Sequence, residues 1–218
     1  SFLEKLLTWK VGYPAYSYSP DGEDILISNL FFNKNDGFYV DVGAYHPTKF
    51  SNTRVLYKRG WHGINIDARP GSMEAFRNER PRDLNIETAI TISPKTLVYQ
   101  MFKEPAYNTF SDELAAEREK MGIPRTGKIE MKTQTLASVL DKNLPQGKKI
   151  DLISIDVEGL DSEVLKSNDW LKYSPSVIAV ECLDFDIENP GNSETYTYLK
   201  QLSYHIEIVT RKTLLFRK

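Results

Sequence analysis

Phe38-Tyr39-Val40-Asp41-Val42-Gly43-Ala44-Tyr45 is an apolar, β-prone run that meets an acid, then a glycine, then a polar turn. A strand buried in a parallel sheet reads this way, because helices cover both its faces and its residues need not alternate. Asp41 falls where the strand is expected to end, and Gly43 sits in the tight turn after it. Open α/β sheets bind ligands outside the carboxyl ends of their strands, where the strand order reverses. This turn is therefore the expected floor of a binding site.

Outward from that strand the pattern alternates. Asn52–Arg59 reads as a helix stopped by Gly60, Gly63–Asp67 as a second strand ending in an acid, and Ser72–Glu79 as a helix. Asp83–Ile92 reads as a third strand, which completes a βαβαβ half of a doubly wound sheet. Ser93–Thr135 is less regular and reads as a lid inserted over the sheet's carboxyl edge, with a strand at Leu97–Phe102, a charged helix at Ser111–Met121 and a strand at Lys128–Thr133. Regular alternation then returns: helix Leu136–Asp141, strand Ile150–Asp156, helix Leu160–Lys166, strand Ser176–Cys182, helix Asn192–Leu202, strand Tyr204–Val209. A final strand, Leu214–Phe216, follows a turn of three residues and so must pair antiparallel with the one before it. A dehydrogenase-type sheet ends instead in a parallel crossover strand. Upstream, Phe2–Lys10 has the spacing of a short amphipathic helix and Asp21–Asp24 reads as a helix start. The organisation expected is an N-terminal helical segment over residues 1–36 and one α/β domain over 37–218.

Bulk properties narrow the function. The 218 residues are 40% apolar and 27% charged, with a net charge of −2, which gives no basic face for nucleic acid. No run approaches the roughly 18 apolar residues of a membrane span. The lone Cys182 excludes an intrachain disulfide, and with no signal peptide in view the expectation is a cytoplasmic protein. A homo-oligomer is compatible with all of this.

Four acids, Asp41, Asp67, Asp156 and Glu181, end predicted strands, and right-handed crossovers place those ends on one edge. Glu158 lies two residues past Asp156 and can face the same side. Any one of them alone could simply cap a helix. Together they favour a polar or cationic ligand, because like charges in one crevice need compensation. Asp67 follows Asp41 by a little more than the ~20 residues typical of a ribose-binding acid. Only Gly43 stands where a pyrophosphate loop would need several glycines. An adenosine with a small cationic tail fits this better than NAD.

These motifs resemble the FkbM family of S-adenosylmethionine-dependent methyltransferases. The resemblance is carried by Gly37–Ala44, Ser51-Asn52-Thr53, Gly60–Asp67 and the "DVEG" element Asp156-Val157-Glu158-Gly159. Asn108-Thr109 and Thr135-Leu136 agree with it. Tyr18-Ser19 with Gly22-Glu23-Asp24 resembles the family's upstream element, although Pro20-Asp21 replaces its usual filling. The resemblance spans Tyr18 to Glu181 and implies a Rossmann-like seven-stranded methyltransferase sheet with a C-terminal antiparallel hairpin. It also implies S-adenosylmethionine contacts from the turn Asp41, Gly43, Ala44 and Tyr45, from Asn52, from Asp67 and Ala68 at the ribose, from Ala89 within Thr88–Ile90 at the adenine, and from Asp156. The acceptor it implies is a hydroxyl of a sugar in a glycan, polysaccharide or nucleotide-sugar.

A sugar hydroxyl needs a base or a metal near neutral pH. His46, Asp156 and Glu158 are the base candidates; His46 reads equally as an imidazole that orders its own loop, and His62 and His205 read as structural. Asp156 and Glu181, with Asp184 and Asp186 close behind, are an oxygen-rich set suited to Mg²⁺. Tyr99, Tyr107, Phe110 and Phe185 are candidates for a sugar platform. The rival readings are a nicotinamide-dependent oxidoreductase and a nucleoside-binding module without chemistry.

Overall fold

A computed structural model describes residues 15–218; the expected helix at Phe2–Lys10 lies outside them. The first half of the chain runs α1 (Glu23–Leu30), β1 (Phe38–Val42), α2 (Arg54–Lys58), β2 (His62–Asp67), α3 (Met73–Glu79), β3 (Leu84–Glu87) and β4 (Ala89–Ile90). There follow β5 (Thr96–Phe102), α4 (Asp112–Lys120), β6 (Arg125–Gln134), α5 (Leu136–Asn143) and β7 (Leu152–Ile155). The chain closes with α6 (Asp161–Lys166), β8 (Val177–Glu181), α7 (Glu194–Gln201), β9 (His205–Val209) and β10 (Thr213–Arg217).

Seven strands form one sheet in the order β3-β2-β1-β7-β8-β10-β9. Strands β3, β2, β1, β7 and β8 pair in parallel, whereas β10 is antiparallel to both β8 and β9, as the short final turn requires. β1 is buried along its whole length. Phe38, Val40 and Val42 pack with Leu136, Val139 and Val164 on one face, while Tyr39 packs with Ile27, Leu56 and Trp61 on the other. Helices on both faces thus explain the unbroken apolar run. The order reverses between β1 and β7, and a crevice opens at their carboxyl ends.

The third strand differs from the sequence-based expectation. Asp83–Ile92 is not continuous: β3 stays in the main sheet, and β4 leaves it to pair in parallel with β6. The cause is the length of its neighbour. β2 ends at Asp67, whose carbonyl takes the Thr88 N–H at 3.0 Å, so beyond Glu87 the backbone has no partner in that sheet and finds one in β6. Residues 93–135 fold as the β5–β6 antiparallel ribbon with α4 between its strands, the helix capped by Ser111 Oγ accepting the Leu114 N–H at 3.1 Å.

Candidate active site

At the switch point two loops press together. The N–H groups of Gly43 and Ala44 both donate to the Ile66 carbonyl (2.9 and 3.0 Å), and the Asp156 N–H donates to the Val42 carbonyl at 2.9 Å. Gly43 has φ +85°, and a β-carbon there would stand 1.6 Å from the Asp156 carbonyl oxygen. The glycine is therefore required by its neighbour loop. It does not open an anion cradle.

Gly43, Tyr45, Asp67, Ala68, Thr88, Ala89, Ile90 and Asp156 are among the residues lining the crevice, which is open to solvent. Asp67 is almost buried, and each carboxylate oxygen accepts one backbone N–H: Oδ1 from Arg69 (2.7 Å) and Oδ2 from Tyr45 (3.0 Å). Burial raises its pKa, opposed by the Arg69 N–H and guanidinium and the Tyr45 N–H. The carboxylate has lone pairs beyond those these groups use, so a rigidly held acceptor faces the crevice beside the apolar Ala68, Ala89 and Ile90. This donor set fits a nucleoside: an acceptor for two hydroxyls next to an apolar wall.

Several residues expected at the cofactor lie elsewhere. Asp41 is the penultimate residue of β1 and points to the Tyr39 face, where it accepts the Thr53 hydroxyl at 2.6 Å. Burial raises its pKa. The same Thr53 oxygen accepts from Arg80, which is fully buried and also donates to Pro47 O, Ser51 Oγ and Asn65 Oδ1. Asp83, with Tyr39 Oη donating to it at 2.5 Å, completes this network beneath the crevice. Ala44 packs on Met73 and Phe76, and Asn52 Nδ2 donates to Ser154 Oγ at 3.2 Å. His46 is not among the crevice-lining residues: its Nδ1 accepts the N–H groups of Thr48 and Lys49, both at 3.1 Å, and burial lowers its pKa.

The structure does bring Asp156, Glu158 and Glu181 together, with one carboxylate oxygen of each within 4.8 Å of the others. Asp156 is open to the crevice but has protein around its other sides. That desolvation, with the charges of Glu181, Asp161 and Glu158, pushes its pKa well above the usual carboxylate range. Burial likewise raises Glu181, followed by the charges of Glu158 and Asp161 and opposed by Lys212. Asp161 turns away to accept the Val157 and Gly159 N–H groups, and burial lifts it to about 6. Asp184 accepts from Cys182 Sγ, and Asp186 holds its own turn through Glu188 N and Asn189 Nδ2; neither joins the cluster.

The lid is fastened on both sides of the crevice by residues with positive φ. Tyr45 (φ 49°) donates its hydroxyl to Glu104 at 3.0 Å, and Glu158 (φ 56°) accepts from Arg118 of α4 at 2.5 Å. Arg118 also donates to the Tyr107 carbonyl at 2.6 Å. Among the lid aromatics, Tyr99 and Phe110 line the crevice and pack on each other at 4.7 Å. Tyr107 lies beside the Arg118 guanidinium, and Phe185 packs on Tyr196, so neither is in the crevice lining. Arg80 and Arg118 escape sequence reasoning, because each is one cation in a charged stretch and only burial distinguishes it.

A parallel sheet closed by one antiparallel strand, with a crevice that fits a nucleoside at its switch point, defines the class: a Rossmann-like, S-adenosylmethionine-dependent methyltransferase. Within that class the chain belongs to the FkbM methyltransferase family, since the Methyltransferase FkbM domain matches residues 41–206. The motif resemblance is thereby borne out, with the upstream Tyr18–Asp24 element outside the matched span. No curated protein matches the sequence. Solved methyltransferase structures are among those similar to this chain. One is a TehB-like SAM-dependent methyltransferase from Corynebacterium glutamicum, at 11% identity over 100% of this chain and 95% of that one, with a TM-score of 0.43. Another is an O-methyltransferase from Bacillus cereus in complex with SAH, at 12% identity over 99% of this chain and 88% of that one, with a TM-score of 0.42. At such TM-scores neither likeness carries an argument. Among the described residues no helix is long and apolar enough to cross a membrane.

Proposed function

We propose that the protein transfers a methyl group to a hydroxyl of a sugar, with S-adenosylmethionine in the β1–β7 crevice, and that it acts in the cytoplasm. The observation that carries the reading is the position of Glu158. It lines the nucleoside crevice together with Asp156, and it also lines a second crevice together with Glu181 and Arg118. Two ligands entering from the two crevices would meet at these carboxylates.

Bound S-adenosylmethionine supplies an electrophilic methyl carbon. The task left to the chain is to align and deprotonate the acceptor. Asp67 presents its free lone pairs to the ribose hydroxyls, and Ala68, Ala89 and Ile90 wall the base. Asp156 and Glu158 would accept the hydrogen bond of the acceptor hydroxyl, and one of them would take its proton as the O–C bond forms and the methyl–sulfur bond breaks, with S-adenosylhomocysteine as the leaving group. The acids that line the second crevice, Glu158, Asp161, Glu181, Asp184 and Glu194, offer hydrogen-bond acceptors to a polyhydroxylated acceptor. His46, committed to its own loop, is left out of this chemistry.

Calorimetric titration with S-adenosylhomocysteine tests the cofactor, and its release from S-adenosylmethionine with glycan or sugar-nucleotide acceptors tests the reaction. One-site binding, weakened about tenfold by Asp67→Asn, is expected. Binding of NADH instead would move the protein to the oxidoreductases, and cofactor binding without turnover on any acceptor would make it a binding module.

A further inference from the structure

We propose that Asp156, Glu158 and Glu181 form a site for one hard divalent cation of the Mg²⁺ type. One oxygen from each lies within 4.8 Å of the other two. Octahedral Mg²⁺ holds oxygens at about 2.0–2.1 Å, which sets neighbours roughly 3 Å and opposite ligands roughly 4.2 Å apart. The three oxygens would reach that sphere by rotation of their side chains.

Glu181 supplies the second, independent observation. It is 7% exposed, and among the described residues no hydrogen-bond donor reaches its carboxylate; the one cation within 4 Å is Lys212 Nζ, at 3.9 Å. A buried carboxylate without a donor is costly unless something else satisfies it. The scaffold is rigid where it matters. Asp156 directly follows β7 and Glu181 ends β8, and these strands pair side by side in parallel, with Ile155 opposite Val180. Arg118 occupies Glu158 Oε2 and leaves Oε1 for the cation. The three carboxyl groups outnumber the two cations beside them, Arg118 and Lys212.

The site lies at the seam of the two crevices, because Asp156 lines the first, Glu181 the second and Glu158 both. Its role rests on the methyltransferase reading: the cation would take an acceptor oxygen as a further ligand and lower the hydroxyl's pKa. Its existence does not rest on that reading.

The test titrates EDTA-treated, dialysed protein with Mn²⁺ and follows the free-ion signal by electron paramagnetic resonance. One Mn²⁺ per chain is expected, displaced by Mg²⁺. Glu181→Gln should weaken it at least tenfold with an unchanged circular dichroism spectrum and unchanged S-adenosylhomocysteine binding. Lys212→Met, which removes a competing cation, should tighten it. If Glu181→Gln does not fold, Glu158→Gln on the exposed side of the cluster takes its place, with the same loss expected. No saturable Mn²⁺ binding at millimolar concentration, or equal binding by these carboxamide variants, overturns the site. Cofactor binding that survives that result leaves the methyltransferase reading standing.

Discussion

The Asp156 carbonyl oxygen occupies the space beside Gly43 so closely that a β-carbon on residue 43 would come within 1.6 Å of it. With φ +85° at the same residue, backbone strain and collision act together. Gly43→Ala must push the β7–α6 loop away and break the Asp156 N–H bond to Val42. It should cost about 3 kcal/mol or more in urea unfolding and abolish S-adenosylhomocysteine binding by calorimetry. A variant with unchanged stability and affinity would show that the loops yield freely.

His46 should act through its loop. Its pKa is lowered in the folded protein, so between the folded value and 6.5 the unfolded chain binds more protons. The stability that neutral His46 contributes is thus fully present above about 6.5 and is lost as pH falls through that window toward the folded value. A ¹⁵N-resolved titration should show Nδ1 unprotonated at pH 7 and a midpoint below 6.5. His46→Ala should lower stability by roughly 1 kcal/mol and leave turnover at saturating acceptor within about threefold. A hundredfold fall in turnover would return His46 to the chemistry.

Arg80 should be irreplaceable even by lysine. Its guanidinium donates in a fixed fork to Pro47 O, Ser51 Oγ, Thr53 Oγ1 and Asn65 Oδ1, a geometry that a single ammonium cannot reproduce. Arg80→Met also leaves the buried Asp83 and Asp41 with fewer compensating groups. Losses of about 3–5 kcal/mol are expected for Arg80→Met and at least about 2 for Arg80→Lys, measured by urea unfolding.

Arg118→Met should loosen the lid without emptying the crevice. With the contacts to Glu158 and Tyr107 gone, hydrogen exchange should quicken in α4 and in the 105–111 loop. The KM for the acceptor should rise several-fold while S-adenosylhomocysteine affinity stays within about threefold. Unchanged exchange in α4 would show that Ser111 and the β5–β6 ribbon hold the lid unaided.

Asp41 and Asp67 look alike along the chain, each an acid near the end of an apolar run. β1 continues one residue past Asp41, whereas β2 stops at Asp67. In the parallel register Asp41 is level with Asn65, so Asp67 shares its face but stands two residues nearer the carboxyl edge; that difference in depth leaves Asp41 on Thr53 and Asp67 on the crevice. The break at Thr88 was hidden for a related reason: β-prone residues run on from Leu84 to Ile90, and only the length of β2 shows where the partner is lost.

What could be read directly was local or periodic. The unbroken apolar run at Phe38–Val42, the glycine after it, the final turn too short for a crossover and the Asp156–Gly159 motif together led to the sheet, its antiparallel close and the family. Each depends on chemistry within a few residues of itself. The convergence of Asp156, Glu158 and Glu181, the Arg80 network under the crevice and the Arg118 fastening of the lid depend on residues tens of positions apart. Their meaning comes from which polar groups the fold buries together, and burial belongs to the packed molecule, because only packing removes the water that would otherwise satisfy each group alone.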